Sequence, residues 1–110
     1  MPANWATPRP ALSGNPAQIQ AMWFSTLDVP LGSDWDGEFV ATTNTSGIDV
    51  ATNLFVFAVP RLSPGRFRFH IRMMDAPVGF VRAYPLRIIA RNAAGAEVET
   101  VIPFRISGRR

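Results

Sequence analysis

From Ala17 onward the apolar residues of this chain recur at every second position. Turn-forming residues interrupt the runs roughly every eight to twelve positions. A two-residue period puts alternate side chains on opposite faces of an extended strand and does not fit the 3.6-residue period of a helix. No segment joins helical spacing to a capping pattern. The expectation is an all-β domain over 17–107, a sandwich of about seven short antiparallel strands. Before it, Pro2, Pro8, Pro10 and Pro16, with Gly14 and Asn15, read as a Pro-rich tail or linker over 1–16. Residues 108–110 form a short C-terminal tail.

The candidate strands run in order. The first covers about 18–27 and is closed by Val29-Pro30-Leu31-Gly32. In the second, 35–43, Trp35, Phe39 and Ala41 share a face with Gly37, and Asp36, Glu38, Val40 and Thr42 point the other way. NTSG (44–47) reads as a loop to strands at 48–52 and 54–59, which one bent strand would also explain. LSPG (62–65) is a turn. The next strand sets Phe67, Phe69, Ile71 and Met73 against Arg66, Arg68, His70 and Arg72. APVG (76–79) leads to a strand beginning at Tyr84. In the last, Val98, Thr100, Ile102, Phe104 and Ile106 are expected inward, and Glu97, Glu99 and Arg105 outward. Pro103 has no N–H for a ladder, so this strand should be an edge there, or pair on its other side.

In YPLRIIARNAAG (84–95), Tyr84, Leu86, Ile88 and Ala90 share a face ahead of an Asn92–Gly95 turn. This resembles the F strand and F–G turn of Cys-free bacterial immunoglobulin-like and fibronectin type III modules, mainly over residues 80–106. The resemblance implies an immunoglobulin-like antiparallel sandwich with Tyr84 as a corner tyrosine. It puts Leu86 in the place of the second cysteine of antibody domains. The chain departs from the antibody pattern in having no cysteine pair. Phe55 or Phe57 stands where the strand-C tryptophan would be, while Trp23 and Trp35 fall earlier in the chain.

The chain has 110 residues, 47% hydrophobic and 17% charged, enough for one core. Its longest apolar stretch, around Leu54–Pro60, is far short of the ~20 residues a membrane-spanning helix needs. The first residues lack the basic and apolar regions of a secretory signal. That leaves a cytosolic protein as written, or a module of a longer exported one. With no cysteine and only His70, thiolate chemistry and multi-histidine metal sites are excluded.

All eleven basic residues are arginine, a bias that a GC-rich bacterial genome explains. Residues 1–60 carry Arg9 against five acids, net −4; residues 61–110 carry ten arginines against three acids, net +7. The row Arg66, Arg68, His70, Arg72 has the spacing of a phosphate-binding stripe. In an immunoglobulin-like sandwich, however, it lies beside Asp36 and Glu38. The last hairpin likewise sets Arg91 opposite Glu97 and Arg87 diagonal to Glu99. The favoured reading is a solvated face of cross-strand pairs, not a nucleic-acid surface.

Three candidate sites remain. SDWDGE (33–38) looks like part of a calcium loop through Asp34, Asp36 and Glu38, but the full loop pattern is missing and the strand that follows separates the carboxylates. No nucleophile elbow or phosphate loop is present, so no enzyme and no cofactor are expected. LFVFAVP (54–60) is apolar on both faces, and a two-layer sandwich buries only one. Its Phe55–Phe57–Val59 face needs cover, from the loop around Pro77–Val81, from Trp5 in the tail, or from a partner. The structural set is Trp35, Phe67, Phe69, Tyr84, Leu86 and Ile88. The expected function is a non-catalytic binding or spacer module, with a protein partner or a neighbouring module, in a larger bacterial surface or exported protein. One alternative is a carbohydrate-binding module using Trp23, Phe24 or Trp35. The other is a small assembly protein using Phe55, Phe57 and Val59.

Overall fold

A computed structural model describes residues 6–73 and 81–108. Trp5 and the APVG loop lie outside the described residues, as does most of the expected Pro77–Val81 cover; its last residue, Val81, is half-buried against the core. Nine strands are described: β1 (Ile19–Phe24), β2 (Asp28–Pro30), β3 (Asp34–Ala41), β4 (Thr45–Ala51), β5 (Val56–Ala58), β6 (Arg61–Ser63), β7 (Arg66–Arg72), β8 (Arg82–Asn92) and β9 (Glu97–Ser107). They form two sheets, ordered β1-β3-β7-β6 and β2-β9-β8-β4-β5, the second curled into a half-barrel.

The core is the set of side chains that the two-residue period turns inward. Trp35, Phe39, Phe67 and Phe69 come from the first sheet, and Ile48, Val50, Tyr84, Leu86, Ile88, Phe104 and Ile106 from the second; all are buried. Trp35 sits at the centre. Its ring centroid lies 4.9 Å from those of Phe69 and Phe104, and Phe24, Phe55 and Phe57 surround it. Its indole N–H donates to the Thr26 carbonyl at 2.8 Å, so the buried polar atom is satisfied. Gly37 shares this inner face, and the Phe69 ring lies directly over it, where a Cβ would collide with the ring.

Several boundaries differ from expectation. The first candidate strand stops early, at Phe24, and the segment expected to close it is a strand of its own: the chain leaves the first sheet after Phe24 and joins the second as β2, parallel to the end of β9. NTSG is mostly strand, since β4 starts at Thr45 through a bulge against β8. The segments 48–52 and 54–59 are separate strands, and β5 folds back antiparallel on β4. LSPG is half strand, with β6 ending at Ser63.

Pro103 faces Pro85 across the β8–β9 ladder. The Arg105 N–H donates to Leu27, so odd-numbered β9 groups point away from β8, and β2 pairs only from Arg105 onward. On β8, odd-numbered groups face β4, whose pairing ends at Arg87. Each proline therefore sits where its missing N–H had no strand to meet.

The proline-rich segment is extended but lies along the domain. Arg9 N–H donates to Gln20 Oε1, Thr43 N–H to the Arg9 carbonyl, and Arg66 to the Ala6 carbonyl. Asn44 and Asn92 both donate to the Asn15 carbonyl.

Candidate functional site

The arginine row lies on the outer face of the first sheet in the expected pairing. Asp34 is in register with Arg72, Asp36 with His70, and Glu38 with Arg68. The three calcium-loop carboxylates are spread along one face of β3, each opposite a base. Among the described residues no three acidic, histidine or cysteine side chains converge. Asp36 bonds His70 Nδ1 directly, and this contact, followed by its charge, raises the histidine pKa. Glu38 is only 12% exposed, 3.8 Å from Arg68, and among the described residues its second oxygen accepts no hydrogen bond.

On the second sheet, Arg91 spans three strands, bonding Glu97 on β9 at 2.9 Å and Asp49 on β4. Arg87 meets Glu99 diagonally at 3.3 Å. Asp49 was not anticipated as a partner; the β4–β8 register brings it diagonal to Arg91.

The aromatic candidates separate. Trp35 is wholly buried and Phe24 stacks on it, so neither offers a flat platform. Trp23 lies on the outer face in register with Glu38, half-buried. Phe55 and Phe57 turn toward Trp35 with edge-on ring contacts, and Val59 is buried. The exposed side of that segment is Val56, 67% accessible. A shallow groove of about 260 Å³ remains beside it, lined by Phe55, Val56, Phe57, Ile71, Arg72 and Met73.

The least expected feature is at the other side of the sandwich. Val98 has the inward phase anticipated for it yet is 43% exposed, and Thr100 and Ile102 are only half-buried. The cause is topological. β2 covers the outer edge of β9 only at 105–107, so beside 97–103 the second sheet stops one strand short. The gap is an open cleft of about 400 Å³ between β1 and the first half of β9. Ile19, Met22, Ala90 and Val98 form its apolar wall, and Arg9, Gln18 and Thr100 lie at its margins. The odd-numbered N–H and carbonyl groups of Glu97, Glu99 and Val101 face out of the sheet there, with no partner strand among the described residues. The alternation in the sequence carried no signal for this, because period fixes a residue's face and not what stands opposite.

Comparison with known proteins returns no matching family model and no matching curated relative.

Proposed function

We propose that this chain is a non-catalytic, immunoglobulin-like binding or spacer module that engages protein, within a larger bacterial surface or exported protein. The observation that carries the reading is the strand order. The sequence β1-β3-β7-β6 corresponds to strands A, B, E and D of an immunoglobulin sandwich, and β9-β8-β4-β5 to G, F, C and an added C′. β2 then continues strand A across to the opposite sheet. Tyr84 stands near the start of the F equivalent, buried and two residues before Leu86, as a corner tyrosine would. Trp35 and its ring partners fill the centre that antibody domains give to a disulfide and a tryptophan. Cross-strand ion pairs set Asp36, Glu38, Asp49, Glu97 and Glu99 against Arg68, His70, Arg87 and Arg91, so acids are interspersed through the basic rows, which favours a scaffold over a polyanion surface.

The test is an immunoblot of the source cells with antibody to this domain, comparing cytosolic and envelope fractions. A band well above 12.1 kDa in the envelope or medium supports the module reading. A single band at the mass of this chain, confined to the cytosol, overturns it.

A further inference from the structure

We propose that the cleft between β1 and the first half of β9 accepts an extended segment of another polypeptide, which adds to the second sheet as a strand beside residues 97–102. The inference rests on the protein-binding reading above and names the mode and chemistry of the partner.

Three observations converge on a strand rather than a compact ligand. The first is backbone: Glu97, Glu99 and Val101 hold outward N–H and carbonyl groups that only another backbone can pair in register. The second is volume: Val98, Ile19, Met22 and Ala90 line a gap under that edge, open to the side chains of an added strand. The third is the boundary. Pro103 has no N–H to offer and β2 pairs with β9 from Arg105 onward, so the site is about six residues long and closes at a defined end.

The side chains specify the occupant. Alternate residues of an added strand would point into the cleft, against Val98 and Met22, and these must be aliphatic. The residues between would lie on the outer face beside Glu97 and Glu99, which each bond one β8 arginine (Arg91 and Arg87) yet keep side chains 55% and 45% exposed on the open side. Cross-strand neighbours of opposite charge are favoured there, which selects arginine or lysine. A second copy pairing through the same edge would bring Glu97 and Glu99 against their own kind, so the occupant is a basic, aliphatic-alternating segment of a different chain.

The probe is Ac-Arg-Val-Arg-Val-Arg-Val-NH2, titrated into the full chain labelled with nitrogen-15. Amide shifts and slowed hydrogen exchange should appear at Glu99 and Val101. The same peptide N-methylated at alternate residues, on the edge that would pair, should lose binding by about tenfold for each hydrogen bond removed. A Glu-for-Arg peptide should bind more weakly than the basic one. Val101→Pro deletes an outward donor without touching the β8 ladder and should weaken binding similarly, its fold checked by circular dichroism. Absence of shifts at millimolar peptide, shifts confined to other surfaces, equal binding of the N-methylated peptide, or equal binding of the acidic peptide would each overturn the proposal. Any of these, alongside an envelope location in the immunoblot, would sink strand addition and leave the module reading standing.

Discussion

Replacing Gly37 with alanine tests whether the aromatic core is as tightly locked as its geometry implies. A Cβ at this position would collide with the edge of the Phe69 ring, 2.6 Å from Cζ and nearer still to Cε2. The ring has no free direction in which to yield. It is 2% exposed, its centroid lies 4.9 Å from Trp35 and 5.1 Å from Phe57, and Phe24 and Phe39 approach at 6.3 Å. Forcing one carbon into such a core costs about 1–3 kcal/mol. Alanine returns about 0.5–1 kcal/mol through the lower backbone entropy of its unfolded state. The net expectation is a loss of about 1–2 kcal/mol, which for a domain of this size lowers Tm by roughly 5–12 °C. Urea unfolding followed by tryptophan emission reads the change, with the m-value unaltered. In the double variant Gly37→Ala/Phe69→Leu the added methyl gains room, so the two losses should sum to less than their separate values. A neutral or stabilising Gly37→Ala, or strict additivity in the pair, would show that the ring is not pinned over the glycine.

Other consequences can be measured directly. Because the folded-state pKa of His70 is raised, chiefly by its hydrogen bond to Asp36, the pair contributes fully below the unfolded value near 6.5 and its contribution is lost as pH rises through the folded value. An NMR titration should give a lower His70 midpoint in Asp36→Asn than in the wild type; equal midpoints would refute the pairing. Asn92 is 2% exposed, donates to the Asn15 carbonyl and accepts the Ala96 N–H, so Asn92→Ala removes two bonds, leaves the Asn15 carbonyl to Asn44 alone and the Ala96 N–H without this acceptor, and should cost about 1–3 kcal/mol. The same variant should be cut faster by protease around Leu12–Asn15, and an unchanged digestion rate would count against Asn92 holding that segment to the domain. The Arg91–Asp49 pair is partly exposed, at 33% and 22%, and a double-mutant cycle should return about 0.2–1 kcal/mol of coupling that shrinks with added salt; a salt-independent coupling would point to packing instead.

What the sequence made legible follows from the length of each strand. In β7 and β8 seven and eleven residues repeat the period, so Phe67 and Phe69 fell on the core side and Leu86 and Ile88 on theirs. The same phase, across one hairpin, was enough to foresee Arg91 opposite Glu97; setting the arginine row beside Asp36 and Glu38 also needed the strand order that the immunoglobulin-like resemblance implied. Three-residue strands carry too little period to be read, and so β2 was taken for a turn and β6 for part of one. Asn44 and Asn92 looked like ordinary turn residues because their role lies in carbonyls some thirty and seventy-seven residues away, at Asn15. The cleft was the least legible of all. Val98 reads as a core residue by phase, and its exposure arises only because the chain after Phe24 crosses to the opposite sheet too late to cover it.

The distribution of proline gives the open edge its meaning. An unpaired edge invites wrong pairing, and short strands, bulges and prolines are the usual protections. β2 ends in Pro30; β5 is three residues long and runs into Pro60; β6 has a register shift and is followed by Pro64. On β5 the odd-numbered residues bond to β4, as the Val59 N–H does to Ile48, so the nitrogen of Pro60 lies on the outward side and withholds a donor there. β1 and the stretch 97–102 contain no proline at all. Because the Ser25 N–H donates to Asp36, the outward groups of β1 belong to Met22 and Phe24, and Met22 lines the same cleft as Val98. The two proline-free edges therefore meet at one place. In the proposed mode what guards that place is charge: Glu97 and Glu99, still half exposed beyond their bonds to Arg91 and Arg87, disfavour a second copy of the chain, while the backbone groups of 97–101 meet no strand among the described residues. A protection that repels its own kind while keeping its hydrogen-bonding groups available is selective, and the strand it admits is one that brings positive charge with it.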